Sequence, residues 1–166
     1  FFNKSEQLIL LNAENIVVGF SGGVDSTLAL AATNQFLEMH GKKNCLTALH
    51  VNHQTQSASS SWQIHCEKFC KEHNINFSCK SVEIKESGQG YEAAARSARL
   101  DIFNAFDEAT VIILGHHLDD QVETVFFRVL RGTGLKGLTG MQRHIKIKDK
   151  DFIRPLLHLT KEEIFK

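Results

Sequence analysis

The chain has 166 residues, of which 42% are hydrophobic, so it can form one domain that buries roughly 70% of the surface of its unfolded form. Lys plus Arg and Asp plus Glu both number 19, so the net charge does not indicate a nucleic-acid partner. There is neither a membrane-spanning apolar run nor a signal-peptide pattern. We therefore expect a soluble, cytoplasmic protein with no membrane partner.

The first half of the chain alternates strand and helix patterns. A short apolar, β-branched run at residues 16–20 predicts a strand, and residues 27–40 predict a helix that ends at Gly41. Residues 45–51, 62–73 and 77–82 then predict a strand, a helix and a strand.

The second half continues the alternation. Residues 91–108 predict an Ala-rich helix, residues 111–115 a buried strand and residues 119–130 an amphipathic helix. Residues 143–148 and 152–153 predict a peripheral hairpin, and a capping box at residues 160–163 predicts a final helix. The pattern predicts an α/β fold with a doubly wound, mostly parallel sheet, helices on both faces and ligands at the carboxyl ends of the strands.

A glycine-rich loop, SGGVDS, follows the first predicted strand. Its glycines permit close backbone approach, and the following helix directs unpaired N–H groups at an anion. The loop predicts a phosphate site formed by Ser21, Gly22, Gly23, Val24, Asp25 and Ser26. Asp25 would repel a bare phosphate, so it indicates a Mg²⁺ ion or a cationic amine nearby. The alternative is that Asp25 and Ser26 only begin the helix.

The sequence lacks the motifs of two common classes of nucleotide-binding protein. The chain has no G-x-x-x-x-G-K-[ST] loop, and no G-x-G-x-x-G follows the first strand. A Walker-type NTPase and a dinucleotide-binding enzyme are therefore disfavoured. The four cysteines also lack the C-x-x-C spacing of zinc, iron–sulfur and redox sites, so we expect reduced thiols.

A second polar segment, LGHHLDDQVET, follows the strand predicted at residues 111–115 and opens a helix. Its acids should lie at the same sheet edge as the glycine-rich loop. Asp119 or Asp120 could ligate Mg²⁺, and His116 or His117 could accept a proton or contact phosphate. Acids that only stabilise a helix start are the alternative.

Three further features are candidates for contacts with substrate. Asn52 or His53 could meet adenosine, although a turn explains them equally well. The spacing of Glu92 and Arg96 suggests a surface pair. Residues 131–141 form a glycine-punctuated loop in a locally basic zone, which indicates either a substrate loop or a solvated charged face.

SGGVDS after IVVGF resembles the pyrophosphate loop of N-type ATP pyrophosphatases, which cleave ATP to AMP and pyrophosphate. With HVNH, YEAAARSAR, LGHHLDDQVET, RGTGLKGL and IRPLL, the chain resembles the tRNA(Ile)-lysidine synthetase family from about residue 16 to residue 166. That family has an adenine nucleotide alpha hydrolase-like, Rossmann-like fold. It adenylates the C2 carbonyl oxygen of the wobble cytidine in a CAU-anticodon isoleucine tRNA, and lysine then displaces AMP.

The resemblance implies roles for individual residues. ATP would bind at residues 21–26, with His53 and Arg96 nearby, and Asp25, Asp119, Asp120 and His116 would act in catalysis. Mg²⁺ would be held by the same three aspartates. The residues that would contact lysine and tRNA lie in the second polar segment and the glycine-punctuated loop: Gln121, Glu123, Arg131, Gly132, Thr133, Gly134 and Lys136. The three aspartates could equally handle the lysine amine, and the sequence leaves a homodimer open.

The chain also departs from the family. Gln54, Thr55 and Gln56 replace a Gly-Leu-Arg-like segment after HVNH, so a contact from that arginine is not expected. We expect residues 1–166 to be the catalytic domain of a longer protein, without the family's C-terminal tRNA-binding domains. The rivals are a tRNA 2-thiolation enzyme, which generally needs a catalytic cysteine arrangement, and a non-catalytic nucleotide- or RNA-binding module.

Overall fold

A computed structural model describes residues 1–52, 59–82, 101–103, 105–107, 109–132 and 139–166. Within these residues, strands form one sheet: β1 (Asn15–Gly19), β2 (Leu46–Asn52), β3 (Asn76–Ser81), β4 (Thr110–Ile113), β5 (His144–Ile147) and β6 (Lys150–Ile153). The strand order is β3-β2-β1-β4-β6-β5. All neighbours are parallel except β5 and β6, which form an antiparallel hairpin at one edge.

Helices connect and cover these strands. They are α1 (Lys4–Asn12), α2 (Val24–Met39), α3 (Ser59–Glu72), α4 (Leu118–Leu130) and α5 (Lys161–Ile164), and residues 101–103 are also helical. One apolar cluster joins one sheet face to α1, α2, α3 and α5, and includes Ile16 and Leu30. A second cluster places Val17 and Phe103 on the opposite face. The predicted fold class, a mostly parallel sheet with helices on both faces, is confirmed.

The hairpin turn lies slightly earlier than the pattern predicted. Lys148 and Asp149 connect β5 to β6, and their φ values are 46° and 64°. A two-residue hairpin of type I′ requires positive φ at both central positions, which glycine adopts most readily and which Asn and Asp tolerate better than other side chains but still at a cost.

Replacing Asp149 with glycine should therefore raise the free energy of unfolding by about 0.5–1 kcal/mol, because glycine adopts positive φ without a Cβ penalty. Urea denaturation of the wild type and the variant measures the difference. Lys146→Gly, within β5, is the matched control and should lower stability. A loss of stability in Asp149→Gly would show that the aspartate side chain itself holds the turn.

A buried ion pair fixes the N-terminal helix to the far edge of the sheet. The carboxylate of Glu6 is fully buried and accepts from Nε and Nη2 of Arg143 at 2.7 and 3.0 Å. Glu6 also accepts from the backbone N–H of Asn3 in a capping box that starts α1. The same carboxylate thus begins the helix and attaches it to the residue just before β5.

Candidate functional site

The candidate functional site lies where the order of strands reverses direction. From β1 the chain proceeds to β2 and β3 on one side, whereas β4 and β6 lie on the other. Residues 21–26 follow β1 and residues 114–117 follow β4, so both segments reach the same edge. A Cβ on Gly115 would lie 3.0 Å from the carbonyl oxygen of Asp25 and 3.1 Å from Cα of Ser26. Only glycine at position 115 allows this close approach of the first turn of α2.

The SGGVDS loop forms a cradle of backbone N–H groups. Gly22 has φ +84°, and Gly23 is the N-cap of α2 with no side-chain cap from the described residues. The hydroxyl of Ser26 donates to the carbonyl of Gly23 at 2.9 Å and lies 3.1 Å from the hydroxyl of Ser21. Val24 starts the helix and is partly exposed. The first turn of a four-turn helix thus presents unsatisfied N–H groups, which is a favourable site for an anion.

Asp25 places a carboxylate beside this cradle. Its side chain is 27% exposed, yet its Oδ1 atom is buried and has no hydrogen-bond partner among the described residues. A buried, unpaired carboxylate oxygen costs free energy unless a cation or a donor meets it. The position of Asp25 therefore fits a cation or donor that the described residues do not supply.

His117 connects Asp25 to the start of α4. The buried imidazole is the N-cap of α4, and its Nδ1 accepts from the backbone N–H of Asp120 at 3.4 Å. Because Nδ1 accepts, the neutral ring carries its proton on Nε2, which lies 3.7 Å from Oδ2 of Asp25 and 3.6 Å from Oδ2 of Asp120. The imidazole thus lies between the carboxylates of the two loops.

The two neighbouring aspartates of α4 also have local partners. Asp120 Oδ2 accepts from the backbone N–H of His117 at 2.9 Å and completes a capping box. Asp119 Oδ2 accepts from the backbone N–H of Lys161 at 2.7 Å, at the start of α5. Both acids therefore stabilise the start of a helix, which is the structural role that the sequence left open for them. They also lie at the same edge of the sheet as Asp25.

Residues of α4 hold the end of the glycine-punctuated loop, residues 131–141. The side chain of Gln121 pairs with both backbone groups of Met141, at 2.8 and 2.5 Å. Arg128 donates to the carbonyl of Gly140 at 3.0 Å. Glu123, Arg131 and Gly132 are exposed on α4 or directly after it. The other predicted contacts, His53, Arg96, Thr133, Gly134 and Lys136, lie outside the described residues.

His50 supports the phosphate loop and was not singled out by the sequence. This buried side chain at the end of β2 bonds through Nδ1 to the carbonyl of Phe20 at 2.9 Å, and Cys66 Sγ lies 3.6 Å from the same nitrogen. Cys66 also supports Gly22, where a Cβ would approach its sulfur to 2.9 Å. Burial raises the pKa of the Cys66 thiol to about 11, so the thiol is protonated at neutral pH.

The described residues do not contain a preformed metal cluster. None of their His, Cys, Asp and Glu side chains form a group of three or more that could hold a metal ion. Mg²⁺ commonly takes only one or two protein carboxylates and completes its shell with phosphate oxygens and water. The unpaired Oδ1 of Asp25 beside an anion cradle fits that mode of binding.

The sheet, its reversal point and the phosphate cradle define an α/β nucleotide-binding domain. The sequence profile of the PP-loop domain matches residues 2–166, and the chain belongs to this family. Among the described residues, no helix is long and apolar enough to cross a membrane.

Curated relatives share one name. The chain is 38% identical to the tRNA(Ile)-lysidine synthase of Legionella pneumophila (strain Lens), over 91% of this chain and 34% of that protein. It is 34% identical to the enzyme of that name from Francisella philomiragia, over 95% of this chain and 39% of that protein. It is 38% identical to the enzyme of that name from Pseudomonas fluorescens, over 93% of this chain and 35% of that protein. The chain thus spans little more than a third of the length of these relatives.

Two solved structures share the fold. The U34-tRNA thiolase NcsA from Methanococcus maripaludis, with its [4Fe-4S] cluster, superposes with a TM-score of 0.65 at 20% identity, covering 98% of this chain and 60% of that one. FMN adenylyltransferase from Candida glabrata, in complex with FAD and inorganic pyrophosphate, superposes with a TM-score of 0.51 at 17% identity. The match covers 93% of this chain and 47% of that one. At such identities the likeness concerns the fold alone.

Proposed function

We propose that this domain adenylates the C2 carbonyl oxygen of the wobble cytidine in a CAU-anticodon isoleucine tRNA and joins lysine to that carbon, acting in the cytoplasm. The observation that carries the proposal is the uncapped start of α2, with the buried, unpaired Oδ1 of Asp25 beside it. The PP-loop family and relatives named tRNA(Ile)-lysidine synthase support the reaction class and substrate. Residues 1–166 would form the catalytic domain, and the relatives' greater length leaves room for further tRNA contacts.

The phosphates of ATP would bind at residues 21–26. The N–H groups of the first turn of α2 would stabilise the negative charge of the leaving pyrophosphate. Such preorganised donors typically contribute a factor of about 10²–10³ in rate each. The hydroxyls of Ser21 and Ser26 lie 3.1 Å apart, and they would exchange their contacts within the loop for contacts with the phosphates. His53 and Arg96 would add contacts to the nucleotide.

Asp25 would hold Mg²⁺, with Asp119 and Asp120 nearby. When bound, Mg²⁺ supplies positive charge that offsets the charge developing on the phosphates. Nε2 of His117 lies 3.7 Å from Oδ2 of Asp25, so the imidazole is beside this carboxylate without a direct hydrogen bond to it. The carboxylates of Asp119 and Asp120 are each held by one backbone N–H group, so they would enter the site with little freedom.

Lysine and the cytidine would enter from the side of α4. In the first step the C2 carbonyl oxygen attacks the α-phosphorus, and the electron pair of the broken bond leaves with pyrophosphate. In the second the ε-amine of lysine attacks C2, AMP leaves, and a carboxylate such as Glu123 accepts a proton from the amine. Gln121 would position the substrate loop through Met141, and Arg131, Gly132, Thr133, Gly134 and Lys136 would border the substrates.

The experiment measures ATP–pyrophosphate exchange and the incorporation of labelled lysine, using the protein with CAU-anticodon isoleucine tRNA. We expect both, and neither with a tRNA that lacks cytidine at the wobble position. Sulfur transfer without lysine incorporation would overturn the proposal in favour of a thiolation enzyme. ATP binding without either reaction would indicate a non-catalytic nucleotide-binding module.

Trp62 provides a direct measure of nucleotide binding. It is the only tryptophan of the chain, and its ring carbons lie 3.3 and 3.6 Å from the position of a Cβ on Gly22. Because the half-exposed ring touches the phosphate loop, ATP should change its fluorescence in a saturable way, and adenosine should do so much less. Trp62→Phe is the control that removes the signal. An unchanged spectrum at saturating ATP would argue against phosphates in this loop.

A further inference from the structure

Arg154 directs its guanidinium at His116 from the neighbouring strand end. Its Nε donates to Nδ1 of His116 at 3.2 Å, and its Nη1 donates to the carbonyl of Gln142 at 2.7 Å. The backbone is also fixed, because Arg154 donates its N–H to Arg143 at 2.8 Å and precedes the buried Pro155. Arg154 therefore approaches the imidazole in a defined orientation.

This contact fixes the tautomer of His116. A guanidinium has only donors, so Nδ1 of His116 must be the acceptor and carries no proton. The neutral ring then carries its proton on Nε2. Protonation of Nδ1 would break the hydrogen bond and place a second positive charge beside the guanidinium. With Nδ1 as the acceptor, Nε2 of the neutral ring is the donor.

His116 lies in the segment that follows β4 and borders the start of α2. Gly115 before it packs against the first turn of α2, and His117 after it lies 3.7 Å from the carboxylate of Asp25. His116 is thus held between two residues that contact the start of α2, where the phosphates would bind.

We propose that Arg154 is a positioning residue that holds His116 as the Nε2-protonated tautomer, so that His116 donates a hydrogen bond to a phosphate oxygen of ATP and does not act as a proton acceptor. This inference rests on the proposed function and chooses between the two roles that the sequence left open. When the substrate oxygen attacks the α-phosphorus and pyrophosphate leaves with the bonding pair, His116 keeps its proton throughout.

The first test is a long-range ¹H–¹⁵N correlation spectrum of the labelled protein at neutral pH, with His116→Gln used to assign the ring. We expect the neutral Nε2-protonated pattern, with an Nε2 proton that shifts when ATP is added. Arg154→Leu should populate the other tautomer. An Nδ1-protonated or charged ring in the wild type would overturn the inference. So would an Nε2 proton whose chemical shift does not change when ATP is added.

The second test compares two substitutions of His116 in the exchange assay. His116→Ala should lower kcat by about 10²–10³-fold, as expected for the loss of one donor to a developing charge. The amide of His116→Gln can donate from near the Nε2 position but cannot accept a proton, so it should restore kcat to within about tenfold of the wild type. His73→Gln, at an exposed histidine directly after α3, is the matched control.

The outcomes separate the two proposals. If His116→Gln is as inactive as His116→Ala, the ring acts as a base and the inference fails while the proposed function stands. If the wild type shows no exchange with the tRNA, the proposed function fails, and the ring spectrum with and without ATP still decides the role of His116.

Discussion

Asp25→Asn should lower the rate of ATP–pyrophosphate exchange by at least about 10³-fold while leaving the protein at least as stable as the wild type. The amide has nearly the same shape as the carboxylate but lacks its charge, so it cannot offset Mg²⁺ or an amine beside the phosphates. Because Oδ1 is buried and has no partner among the described residues, loss of the charge also removes an unfavourable burial. Exchange kinetics and urea denaturation measure the two effects.

A variant that loses exchange but keeps its stability separates a role of Asp25 in the reaction from a role in folding. Asp149→Asn is the matched control, since Asp149 is an exposed aspartate in the hairpin turn and should affect neither exchange nor ATP binding. Unchanged exchange in Asp25→Asn would show that the charge of this carboxylate has no part in the reaction. Joint loss of exchange and stability would indicate that Asp25 only supports the fold.

Arg143→Met should lower the free energy of unfolding by about 3 kcal/mol, because it leaves the carboxylate of Glu6 buried without its partner. We expect the lower end of the usual range because the Arg143 side chain is 28% exposed, so water can partly replace it. At this chain length the melting temperature should fall by about 6–12 °C.

Two further variants test the origin of this loss. Lys43→Met, which breaks an exposed pair with Glu38 at 3.4 Å, should change stability by less than about 1 kcal/mol. The double variant Glu6→Met with Arg143→Met removes both charges and should be more stable than Arg143→Met alone. A double variant as unstable as the sum of the two single ones would show that packing, and not the ion pair, carries the effect.

The sequence predicted the sheet and the phosphate loop because local patterns carry that information. Apolar runs of strand length and glycines at the first turn specify β1, the cradle and α2 without reference to distant residues. The hairpin was predicted with its turn displaced, since Lys148, at the first central position, is not among the residues that usually mark a type I′ turn.

Features formed by distant residues could not be predicted in this way. Glu6 and Arg143 are separated by most of the chain, and only the folded sheet brings them together. The contact between Arg154 and His116 likewise depends on the pairing of β6 with β4. Helix α4 has the expected apolar stripe, but residues such as Phe126 and Leu130 are exposed, which periodicity alone could not predict.

The order of strands also determines when the parts of the site come into existence during synthesis. β1 pairs with β2 early, but its other neighbour, β4, begins at residue 110. Until the ribosome has made that strand, β1 presents unpaired backbone N–H and C=O groups along one side, which can template pairing with another chain. The phosphate cradle is thus complete well before the histidines opposite it, and an interrupted chain carries a hazard of aggregation before it has a working site.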